Sequence, residues 1–70
     1  MSEYTLSAAQ FKLLRDVRGR GNTRLEMVYR NYSSETIGSM CRVKFLRMRD
    51  TGSNIEITDE GIEILERYGV

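Results

Sequence analysis

Histidine, proline and tryptophan are absent from this 70-residue chain, and cysteine occurs once. Without histidine, Cys41 has no imidazole to activate it as a nucleophile, and no histidine-containing metal site can form. A single cysteine excludes an intramolecular disulfide and points to a reducing compartment. Cys41 is then best read as a small buried apolar side chain. No run of about 18 apolar residues occurs, which excludes a membrane-spanning helix. Met1-Ser2-Glu3-Tyr4 lacks the basic and apolar regions of a signal peptide, so a cytoplasmic location is expected. The seven glutamates and three aspartates are spread along the chain and not gathered in an apolar pocket pattern. Nothing in them resembles a general acid–base pair, so the chain reads as a non-enzyme without cofactor or metal.

Net charge is also almost missing, at +1, yet the charges are segregated. From Lys12 to Arg49 ten basic residues stand against Asp16, Glu26 and Glu35; from Asp50 onward six acidic residues face only Arg67. Such a molecule has a basic side that can steer toward a phosphate backbone or an acidic protein surface. Nine of the eleven bases are arginine, whose planar fork suits bidentate contact with phosphate or carboxylate. The length allows one domain, residues 1–70, and no linker, repeat or low-complexity segment interrupts it.

Local patterns place the elements. Ser7 and Gln10 form a capping box, and Leu6 and Phe11 occupy the two positions of a hydrophobic staple. Phe11, Leu14 and Val17, with Leu13, make one apolar stripe, and Gly19-Arg20-Gly21 ends the first helix. Thr23 with Glu26 predicts a second helix, whose inward face is Leu25, Val28, Tyr29 and Tyr32. That helix ends near Asn31. Ser33 or Ser34 then caps a third helix with Ile37, Met40 and Cys41 inward. Two helices so closely spaced form a helix-turn-helix. From Phe45 the period becomes two: Leu46 and Met48 alternate with Arg47 and Arg49, and Ile55 and Ile57 with Glu56. The turn-forming cluster Asp50-Thr51-Gly52-Ser53-Asn54 joins them into a β-hairpin. Thr58 caps a last helix packed by Ile62 and Leu65 together with Ile64 and Tyr68, and Tyr4-Thr5-Leu6 is a candidate third strand.

This order, α+β with three helices, a two-stranded β-hairpin wing and a C-terminal helix, resembles a winged helix-turn-helix domain. The stretch Asn54-Ile55-Glu56-Ile57-Thr58-Asp59-Glu60-Gly61-Ile62-Glu63-Ile64-Leu65 looks like the passage from wing to final helix in that family. The resemblance spans Leu6 to Tyr68. It sets Met27 where the family has a small residue between the two helices, and Arg30 where an apolar residue is usual.

The resemblance implies transcription regulation by DNA binding. The third helix would present Ser34, Glu35, Thr36, Ser39 and Arg42 to the major groove. Arg47 and Arg49 on the wing, with Asn54 at its turn, would touch phosphate or the minor groove, and Arg20 and Arg24 would hold the flanking backbone. The alternative is a protein-binding module acting on an RNA polymerase subunit or another transcription protein, with Tyr29, Tyr32, Met48 and Tyr68 as surface anchors. Small phage-encoded transcription regulators that bind host RNA polymerase are similar in size and make-up. A partner or a homodimer would add stability to so small a core. Both readings expect the positive groups to gather along one exposed flank.

Overall fold

The computed structural model describes residues 5–69, and among these three of the four α-helices start where a hydroxyl caps the backbone. Helix α1 (Ala8–Arg20) opens on the capping box: Ser7 Oγ accepts from the Gln10 N–H at 3.2 Å, and Gln10 Oε1 accepts from the Ser7 N–H at 2.9 Å. It ends at Gly21, whose φ of +77° lets its N–H turn back to the Val17 carbonyl. Helix α3 (Ser34–Arg42) is capped by Ser33, and α4 (Asp59–Arg67) by Thr58 with Asp59 and Glu60 in its first turn.

The remaining helix, α2 (Leu25–Asn31), starts differently from the expectation. Thr23 does not cap it; Thr23–Arg24 is a short strand, β1, with Thr23 buried. The first free N–H of α2, on Leu25, is taken by the Ser53 carbonyl of the hairpin turn at 2.9 Å. A backbone partner from a distant segment therefore replaces the side-chain cap. Two residues, Tyr32 and Ser33, separate α2 from α3.

Strands β2 (Leu46–Arg49) and β3 (Asn54–Ile57) form the expected hairpin around a tight turn at Asp50–Gly52. They belong to a three-stranded antiparallel sheet of order β1-β3-β2. The third strand is thus β1 and not Tyr4-Thr5-Leu6. Tyr4 lies outside the described residues, Thr5 and Leu6 form no strand, and the Leu6 N–H donates to the Tyr68 hydroxyl at 2.8 Å. The architecture is α+β: four helices and a three-stranded sheet.

The core lies between the inner face of the sheet and the helices, centred on Leu13, Leu14, Ile37, Met40, Ile55 and Leu65, each fully buried. Two assignments shift within it. Ile64 is buried where Ile62 is half-buried, and Tyr29 is 46% exposed, because α2 has turned only Val28 fully inward. Met27 and Arg30, which the family pattern would place inward, are both exposed, so neither obstructs the packing of α2. Cys41 is half-buried against the core, and burial raises its thiol above the ordinary value, keeping it protonated at neutral pH.

The joint between α3, the hairpin and α4 is closely packed. Lys44 takes a left-handed φ of +68°, which lets its N–H reach the Cys41 carbonyl and the Phe45 N–H reach the Met40 carbonyl. Thr58 then clamps the segment: its N–H donates to the Phe45 carbonyl at 2.9 Å, and its hydroxyl donates to the Lys44 carbonyl at 2.6 Å. The same hydroxyl accepts from the Gly61 N–H at 3.1 Å. Gly61 has no room for a side chain, since a Cβ there would overlap the Phe45 carbonyl oxygen. The Thr-acidic-acidic-Gly string thus has a packing reason: it seats α4 on the end of β2.

Candidate nucleic-acid interface

Register distributes the sheet's charges. Pairing Arg24 with Asn54, and Asn54 with Arg49, lines these three residues up across all three strands. The next row pairs Arg47 with Glu56. Because side chains alternate along a strand, both rows lie on the face opposite to Leu46, Ile55 and Thr23, which point into the core. Arg24, Arg47, Arg49 and Asn54 therefore share the outer surface of the sheet.

On that surface Glu56 holds the two wing arginines. Arg47 Nε donates to one carboxylate oxygen and Arg49 Nη1 to the other at 3.0 Å. These hydrogen bonds, from Arg47 first and Arg49 second, keep the Glu56 carboxyl below its ordinary range. Asn54 turns its amide toward the loop, where Nδ2 donates to the Asp50 carboxylate at 2.6 Å. Arg24 is exposed and has no acidic partner among the described residues.

Helix α3 turns a different set outward. Ser34, Glu35 and Arg42 are exposed, and Arg42 has no acidic partner among the described residues. Gly38, on the same side, offers no side chain. Thr36 and Ser39 are half-buried and bonded within the chain. The Thr36 hydroxyl shares a 2.8 Å bond with the capping Ser33. Ser39 Oγ accepts from Gln10 Nε2 at 3.1 Å and donates to the Thr36 carbonyl at 2.9 Å. These two hydroxyls hold α3 to its cap and to α1, and the outward face is narrower than expected.

Arg20 lies elsewhere. Its Nε donates to Asp16 at 2.9 Å on α1, and both line a cleft with Lys12, Arg15, Gly19 and Tyr32. That face of α1 runs beside the stripe Leu13, Leu14 and Val17, through which α1 packs inward against β3. Arg20 is thus held by Asp16 on α1 while Arg47 and Arg49 are held by Glu56 on the sheet, and Met27, which Arg20 reaches, lines a pocket with Arg24, Glu26 and Arg30. Helical and strand periodicity alone cannot show this, because it depends on how α1 and the sheet are stacked.

Comparison with known proteins finds nothing similar: no family model matches the chain, and neither do any curated protein or solved structure at significance.

The four candidate anchors are likewise dispersed. Tyr29 and Met48 are exposed, on α2 and on the edge strand β2. Tyr68 is partly exposed, with its ring 5.6 Å from that of Phe11 and its hydroxyl occupied by Leu6. Tyr32 is half-buried, and its hydroxyl donates to the Lys12 carbonyl at 3.3 Å and to Asp16 at 3.4 Å. Burial, then the charge of Asp16 and the bond to it, raise the Tyr32 phenol above its ordinary value. Sequence reasoning missed Glu56, whose role was signalled only by its position opposite Arg47 in a hairpin of the observed register. No helix among the described residues is long and apolar enough to cross a membrane.

Proposed function

We propose that this chain is a winged helix-turn-helix transcription regulator that binds duplex DNA. The observation that carries the reading is the order of its parts: a helix-turn-helix inserted between β1 and β2, with the strands arranged β1-β3-β2. That connection leaves Ser34, Glu35 and Arg42 of α3 exposed and sets the β2–β3 turn against the start of α2, where the Ser53 carbonyl accepts from the Leu25 N–H. Arg42 and Ser34 on α3 would enter the major groove, where arginine reads guanine. Arg24 would hold phosphate, and Arg49 and Arg47 would do so once they exchange Glu56 for the DNA backbone. Ser39, Thr36 and Asn54 have internal partners and belong to the support of the site, whereas Arg20 is held by Asp16 on α1 and takes no part in it.

A gel shift with mixed-sequence duplex, titrated with salt, tests the proposal. Affinity should fall steeply, with a log–log slope of about −0.9 per phosphate neutralised. Arg24→Ala should flatten that slope by about one, and Arg42→Ala should cost about 10–100-fold on a preferred site. A chain that shifts no duplex at low salt would overturn the reading and leave the protein-binding module, aimed at RNA polymerase or another regulator, in its place.

A further inference from the structure

The α1 cleft is not used by the proposed DNA contact, and it is formed by an exposed face of α1 against Tyr32. Its volume is about 490 Å³, and its walls are Lys12, Arg15, Asp16, Gly19, Arg20 and Tyr32. Asp16 forms the floor, fully engaged: one oxygen accepts from Arg20 and the other from the Tyr32 hydroxyl. Lys12 and Arg15 have no acidic partner among the described residues, and Arg15 stands over the Phe11 ring with 5.5 Å from guanidinium to centroid. At the far end Arg20 reaches the sulfur of Met27, which is 47% exposed.

Gly19 lies in the last turn of α1, two residues before the C-cap Gly21. It does not adopt a positive φ, and a Cβ placed on it would meet nothing, so the helix surface is bare there between Lys12, Arg15 and Arg20.

We propose that this cleft docks an acidic segment of a partner protein, one that carries carboxylates beside an apolar side chain. Lys12, Arg15 and Arg20 supply the complementary charge, and the bare helix at Gly19 admits the segment's backbone. Met27 and the edge of the half-buried Tyr32 ring take the apolar side chain; methionine, tyrosine and arginine are residues enriched at protein interfaces. A nucleic-acid strand fits less well, because Met27 offers a phosphate nothing. The proposal does not depend on the DNA reading.

The test is an amide chemical-shift titration of the full chain at low salt, with two probes: a short synthetic peptide of Glu-Glu-Leu repeats and a mixed-sequence duplex. The peptide should move the signals of Lys12, Arg15, Gly19 and Arg20 and leave those of Arg24 and Arg49 in place. Gly19→Gln, which fills the cleft without altering charge, should weaken the peptide about tenfold while the melting temperature does not fall. Lys12→Glu should weaken it also. Peptide shifts centred on the sheet, a Gly19→Gln chain that binds as the wild type does, or duplex DNA that moves the cleft signals as the peptide does would each overturn the proposal. The duplex binding nowhere would count against the DNA reading alone.

Discussion

Adding one methyl group at each of two helical glycines should have opposite effects. In Gly61→Ala the new Cβ would overlap the Phe45 carbonyl oxygen and lie 2.6 Å from Ile57 Cγ1. Carbon atoms pack comfortably at about 3.5–4.0 Å, so α4 must move outward by on the order of an ångström. The carbonyl cannot yield instead, because it accepts the Thr58 N–H, and Thr58 in turn holds the Lys44 carbonyl and the Gly61 N–H. Overpacking of this kind costs about 1–3 kcal/mol, and each weakened hydrogen bond about 1 kcal/mol more. Against this stands a gain in helix propensity of at most about 1 kcal/mol. The net expectation is a loss of about 1–3 kcal/mol. In Gly38→Ala the same methyl on α3 meets no atom and φ is not positive, so only the propensity acts and stability should rise by about 0.5–1 kcal/mol. Urea unfolding followed by circular dichroism would give both values, provided the slopes with denaturant stay equal. In heat, each kcal/mol should move the midpoint by about 4–8 °C for a domain of this size. A Gly61→Ala midpoint at or above that of the wild type would refute the account of how α4 is seated.

Lys44→Gly removes the strain of a left-handed lysine at the end of α3 and should stabilise the chain by about 0.5–1 kcal/mol in the same assay, with Lys44→Ala giving no such gain. Glu56 governs a pH dependence. Its folded-state carboxyl is held below the ordinary value, so its contribution to stability is fully present at neutral pH and is lost as pH falls through the folded value, below about pH 4.3. Unfolding of Glu56→Gln should therefore vary less with pH across that acidic range than unfolding of the wild type. The same substitution releases Arg47 and Arg49, and it should tighten duplex binding and steepen its salt slope by about one to two phosphates. A weaker complex would mean that Glu56 serves to aim the arginines and not to compete for them.

Where a signal is local, it could be read directly. Ser7, Ser33 and Thr58 each cap a helix through a bond to an N–H three residues on, a contact that requires no knowledge of the rest of the fold. The alternation from Leu46 and the turn residues after Arg49 likewise announced the hairpin. Strand β1 escaped notice because it is two residues long and its partner, Ile55, lies far along the chain. Thr23 also carries a valid capping pattern, which lost to the Ser53 carbonyl once the sheet had formed. The left-handed Lys44 gave no sign, since lysine is not a residue that turn chemistry favours there.

The order of residues alone determined the starts of α1, α3 and α4, the hairpin, the apolar stripes that meet in the core, and the excess of arginine in the middle of the chain. All of these rest on contacts between near neighbours or on periodicity along one element. Tertiary structure decided which charges act together. Arg47 and Arg49 share Glu56, Arg24 joins them across three strands, and Arg20 pairs instead with Asp16 on α1. A side chain's electrostatic surroundings depend on strand register and on the stacking of α1 against the sheet, and both are set only when the core closes.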